Sequence, residues 1–113
     1  MNFTYSNKER FTHLHINVEK LDASNANELK ELLHQLSKLS IHNVLFDFSN
    51  TKYCDSSGLS AVLQANRLCK DTNGKFCIAV PQPNVLKMIQ IAQLDKVLSI
   101  KDTIEEAIAY MEL

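Results

Sequence analysis

Glycine and proline are scarce: Gly58, Gly74, Pro81 and Pro83 are all that 113 residues contain. A glycine-rich phosphate loop or a dinucleotide fingerprint needs several glycines close together, so both are excluded, and most small nucleotide-binding enzymes with them. Long apolar runs are missing too. Phe76-Cys77-Ile78-Ala79-Val80, as long as any in the chain, falls far short of the ~20 residues that span a bilayer. The segment Met1-Asn2-Phe3-Thr4-Tyr5-Ser6-Asn7 lacks the basic-then-apolar order of a signal peptide. Neither sign of charge dominates: 12 basic and 13 acidic residues leave a net charge of −1. That balance argues against a nucleic-acid or anionic-membrane partner, which needs a clustered basic face. Cys54, Cys69 and Cys77 are an odd set without metal-type pair spacing, and they read as free thiols in a reducing cytoplasm.

What is present is ordinary for a folded protein. Hydrophobic residues make up 45 % and charged residues 22 %, in a chain the size of one domain, residues 1–113. From Phe11 to Val18 the sequence alternates. Leu14, Ile16 and Val18 fall on one face and His13, His15 and Asn17 on the other, which reads as a strand with one wet face. Phe3 to Ser6 is its expected hairpin partner, across a turn at Asn7-Lys8-Glu9-Arg10. Leu29, Leu32, Leu33 and Leu36 then recur at helical spacing. Ser24 or Asn25 is the expected N-cap, with Glu28 completing a capping box, and the helix is expected to fade near Ser40.

Asn43 to Phe48 reads as a strand covered on both faces. A second helical stripe of Leu59, Val62, Leu63 and Cys69 follows, ending at Asp71-Thr72-Asn73-Gly74 with Gly74 as a left-handed cap. Phe76 to Val80 is another buried strand. Pro83 starts a helix carrying Val85, Met88, Ile89 and Ala92. Val97 to Ile100 reads as a final strand. The last helix buries Ile104, Ala107, Ile108 and Met111, capped by Asp102 or Thr103 with Glu105 as the box residue. Strands alternating with helices imply an α/β fold: a mixed, mostly parallel sheet of four to five strands with about four helices.

Candidate chemistry is sparse. His13 and His15, two apart on a strand, have no carboxylate near them in sequence and read as solvated surface histidines, with no metal site expected. His34 and His42 have no evident partner, and Met88 and Met111 are core residues. A nucleophilic serine needs a base and an oxyanion site, and no histidine is specifically paired with Ser57. A response-regulator site needs an acidic pair after the first strand, where Val18-Glu19-Lys20 stands instead.

The strongest segment is Asp55-Ser56-Ser57-Gly58-Leu59, read as a loop between a central strand and a helix, where open α/β sheets place functional loops. Asp55 or a serine can cap that helix. Gly58 is expected to turn the backbone tightly and leave the serine hydroxyls uncovered for a protein kinase. Capping accounts for one serine, not for two.

With these residues in that order, the chain resembles the STAS domain family, and within it the single-domain anti-sigma factor antagonists. The likeness runs through Leu21-Asp22, Val44-Leu45-Phe46-Asp47, the serine segment with Leu59-Ser60-Ala61-Val62-Leu63, and Leu94-Asp95-Lys96-Val97. Where the family often has glycines, Glu19-Lys20 and Gln93 stand here. The resemblance implies a non-enzymatic cytoplasmic regulator without cofactor. Such a regulator binds an anti-sigma factor that is also a serine kinase, and so frees a sigma factor. Phosphorylation at the position of Ser57 ends binding, and a serine phosphatase restores it. Asp22, Asp55, Ser56, Gly58, Leu59 and Ser60 match the partner-binding positions. An alternative within the family is a structural subunit of a lipid-transport or stress-signalling assembly, with Ser57 as an interface residue.

Overall fold

A computed structural model describes all residues 1–113. Strands β1 (Phe3–Asn7) and β2 (Thr12–Ile16) form the N-terminal hairpin, with Phe3 opposite Ile16 and Asn7 opposite Thr12. A two-residue strand β3 (Lys20–Leu21) leads into α1 (Ala26–Lys38). Then follow β4 (Val44–Asp47), a second two-residue strand β5 (Tyr53–Cys54), α2 (Ser56–Asp71), β6 (Phe76–Ala79) and α3 (Pro83–Ile91). A 3-10 turn at Leu94–Lys96, β7 (Ser99–Lys101) and α4 (Ile104–Met111) complete the chain.

The main sheet has five strands in the order β1-β2-β4-β6-β7. Only β1 and β2 run antiparallel; the other three pairings are parallel. Both faces are covered, and each strand's alternation divides its side chains between two cores. On one face Leu14, Ile16, Phe46 and Ile78 pack with Leu29, Leu33 and Leu36 of α1, Val62 and Ala65 of α2, and Val85 and Ile89 of α3. Phe46 meets Phe76 edge-on at 4.9 Å, a favoured aromatic geometry. On the other face a smaller cluster joins Phe11, Leu45, Cys77 and Ala79 to Ala107 and Met111 of α4.

The expected order of elements is present, and several local expectations are corrected. The second face of β2 is only partly wet: His15 is half-exposed and Asn17, just beyond the strand, is exposed. His13 is only 9 % exposed because Asp47 of β4 reaches across to it, Nε2 to Oδ2 at 2.9 Å. Asn73, not Gly74, takes the left-handed conformation after α2 (φ 59), since a short amide tolerates it. Gly74 is needed for space: a Cβ there would stand 1.8 Å from the His42 carbonyl oxygen.

Neither expected capping box forms as read. At α1, Asn25 is the N-cap without a side-chain cap bond; its Oδ1 accepts from the Asp22 amide at 3.0 Å. Glu28 instead accepts from the Asn2 side chain. At α4, Thr103 caps and Glu106, not Glu105, is the box residue. The last strand begins at Ser99, and Val97 is exposed in the turn before it. Leu63 and Ala92 lie outside the buried sets of their helices.

Candidate functional site

Between β4 and α2 the chain leaves the main sheet. Thr51 is fully buried and donates its hydroxyl to the carbonyls of Ile16 and Val18 at 3.2 and 2.8 Å. Tyr53 and Cys54 then pair in parallel with Lys20 and Leu21, and the Asp55 amide donates to the Leu21 carbonyl at 3.2 Å. The serine segment therefore follows this small second sheet, where a loop through Tyr53 was expected. The pairing of β3 with β5 sets the starts of α1 and α2 side by side.

Asp55 caps α2. Its backbone is extended (φ −103, ψ −171), and its Oδ1 accepts from the Gly58 amide at 3.0 Å, satisfying one of the donors that a helix start leaves unpaired. Ser56 and Ser57 are thus the first two helical residues, Ser56 exposed and Ser57 half-buried. No hydrogen bond within the chain uses the hydroxyls of Ser56, Ser57 or Ser60. Gly58 does something other than uncover them. It is buried in the first turn, and a Cβ would stand 2.5 Å from the Leu21 carbonyl oxygen and 2.6 Å from Cys54 Sγ. The glycine lets α2 press against β3 and β5, and its φ is not positive.

Ser56, Ser57 and Ser60 share an open hollow with Ala23 from the turn before α1 and Ala26, Asn27 and Lys30 from its start. Lys30 is the one charged side chain lining it, and no histidine does. Asn27 and Lys30 were not legible as site residues, because they belong to the polar flank of an otherwise ordinary amphipathic helix. Only the packing of α1 on α2, seen where Gln64 donates to the Lys30 carbonyl at 3.4 Å, brings them to the serines. Asp22 lies outside that lining, in the turn into α1. Its Oδ1 accepts from the Ser24 hydroxyl at 2.6 Å and the Ser24 amide at 3.0 Å. Those bonds, the hydroxyl foremost, hold its carboxyl below the usual range. Of the expected contact residues, Ser56 and Ser60 are exposed and Asp22 and Asp55 half-exposed, whereas Gly58 and Leu59 are buried and support the surface from beneath. Cys54, adjacent to the site, is also buried, and burial pushes its thiol up to about 12.

The fold recurs in solved structures. The Thermotoga maritima protein TM1081 is similar at 22 % identity, covering 98 % of this chain and 95 % of that one with a TM-score of 0.87. An anti-sigma factor antagonist from Mycobacterium paratuberculosis is 16 % identical over 98 % of this chain and 93 % of its own, TM-score 0.87. The Bacillus cell fate determinant SpoIIAA, in its phosphorylated form, is 20 % identical over 96 % of this chain and 97 % of its own, TM-score 0.74. At these identities the likeness is one of fold. The sequence model of the STAS domain matches residues 3–107, all but the extreme ends. The chain belongs to the STAS domain family.

Proposed function

We propose that this domain is a cytoplasmic anti-sigma factor antagonist, a non-enzymatic binding module switched off by phosphorylation of Ser57. The observation that carries the reading is the Ser57 hydroxyl: second residue of α2, part-exposed, free of any internal hydrogen bond, beside a capping aspartate. A kinase can reach such a hydroxyl without unfolding the helix. The partner is an anti-sigma factor with serine kinase activity, and its capture releases a sigma factor; a serine phosphatase resets the switch. Support comes from SpoIIAA, similar in fold and solved in a phosphorylated form. No histidine lines the hollow to activate Ser57 as a nucleophile.

Phosphorylation adds about −1.5 to −2 charges. The N-terminal end of α2 and Lys30 favour that charge, the helix end by roughly 0.3–1 kcal/mol when exposed, while Asp55 opposes it. These terms are small enough for the fold to survive. In the complex the same charge would have to be desolvated against a surface shaped for a neutral hydroxyl, at a cost of several kcal/mol. The switch therefore acts at the interface. Incubation with the kinase and ATP, read by intact mass and peptide mapping, should add one phosphate at Ser57, and Ser57→Ala should take none while still binding. Modification elsewhere, or binding unchanged by Ser57→Asp, would overturn the reading. Stable residence in a large assembly, insensitive to Ser57, would instead favour the structural-subunit role.

A further inference from the structure

On the sheet face opposite α1 and α2, three potential ligands converge that adjoin nothing in the serine site. His13 and His15 project from the same side of β2, their rings stacked at 4.1 Å between centroids with planes 17° apart. Asp47 is the register neighbour of His15 on β4. Its Oδ2 lies 2.9 Å from His13 Nε2 and 3.5 Å from His15 Nδ1, and the three donor atoms all fall within 4.8 Å of one another. Donors sharing one zinc ion, each at roughly 2.0–2.2 Å, stand about 3–3.5 Å apart, so slight rotations of two imidazoles suffice.

The carboxylate is held from behind. Its other oxygen, Oδ1, accepts from the Ser49 amide at 2.9 Å and from the Ser49 hydroxyl, leaving Oδ2 aimed at the histidines. Outer partners of this kind orient metal-binding carboxylates. The side chains of His13 and Asp47 are each 11 % exposed and that of His15 39 %, so the pocket is walled on two sides and open on the third. Two features act against a cation: exposed Lys8 adds positive charge near His15, and an incoming ion has to displace the hydrogen bond between His13 Nε2 and Asp47 Oδ2.

We propose that His13, His15 and Asp47 form a binding site for a zinc-class divalent ion. Two imidazoles and one carboxylate, without thiolate, suit zinc, cobalt, nickel or copper better than calcium or magnesium. The exposed His15 side leaves room for solvent to complete the coordination when an ion is bound. The ion takes the lone pairs of His13 Nε2 and His15 Nδ1, so each ring carries its proton on the other nitrogen.

Calorimetric titration of the purified chain with Zn2+ at neutral pH should give one ion per chain. His15→Ala, the most exposed ligand, should weaken that binding at least about tenfold, since even outer-shell changes bring losses of that order. The Co2+ complex should show d–d absorption without a thiolate charge-transfer band. As a check needing no variant, Zn2+ should shift the ring resonances of His13 and His15 in the wild-type chain and leave those of His34 and His42 in place. Absence of binding, binding indifferent to His15→Ala, or shifts confined to His34 or His42 would overturn the assignment. So would a thiolate band from the cysteines. None of these readouts depends on Ser57, so the site and the switch stand or fall separately.

Discussion

Gly58 shows how far a single residue controls the site. It was legible as important from its place after two serines, but its reason was not. Turn-making and packing both call for glycine, and only the 2.5 Å approach to the Leu21 carbonyl separates them. Gly58→Ala must push α2 off β3, and overpacking of that kind costs about 1–3 kcal/mol. Urea denaturation should show the loss directly, and in a domain of this size each kcal/mol lowers the melting temperature by about 4 °C. The three thiols make a second prediction at this scale. Burial pushes Cys54 up to about 12 and Cys69 and Cys77 up to about 11. A thiol reagent at pH 8 should therefore label the native chain only as fast as it opens, and all three cysteines at once in denaturant. Asp22 gives a third. Its carboxyl is depressed chiefly by the Ser24 hydroxyl, so its contribution to stability is present above the ordinary carboxylate range and lost as the pH falls through its folded value. Ser24→Ala should move the Asp22 titration back up, as followed by carboxyl NMR shifts.

At the scale of elements, the strands and helices with clear periodicity were readable, and their ends were less so. The leucine stripe of α1 and the buried runs of β4 and β6 stand where the pattern put them. Caps depend on which of several adjacent small polar residues turns its oxygen inward. Thr103 was a candidate beside Asp102, and its hydroxyl accepts from the Glu106 amide at 3.1 Å. Thr103→Ala should destabilise by about 0.5–2 kcal/mol, as loss of an N-cap does, and Asp102→Ala should not. Thermal unfolding of the two variants checks it. Strands β3 and β5 were illegible because two-residue strands have no period to detect. They are visible only as the pairing of Lys20 with Tyr53 and Leu21 with Cys54, contacts across more than thirty residues. The face of β2 was misread for a related reason: alternation says which side chains share a face, not what covers it. Asp47, 34 residues from His13, supplies the cover.

Across the whole molecule, the domain separates its two faces. One carries α1 and α2 with the serines at their starts, and the other carries α4 and the His13, His15 and Asp47 cluster. No helix is long and apolar enough to cross a membrane. With a net charge of only −1, two further negative charges at one point change the local field far more than they change the fold. Ser57→Asp should accordingly melt within a few degrees of wild type while losing affinity for the proposed anti-sigma partner, whereas Gly58→Ala should lose stability first. The most direct measurement is the affinity of the purified chain for the anti-sigma kinase proposed as its partner, before and after stoichiometric phosphorylation, with the modified residue mapped and the circular dichroism recorded on the same samples. The expected result is phosphate on Ser57, an unchanged spectrum and binding weakened at least a hundredfold. Equal affinity in the two states, or a loss of binding that tracks loss of structure, would contradict it.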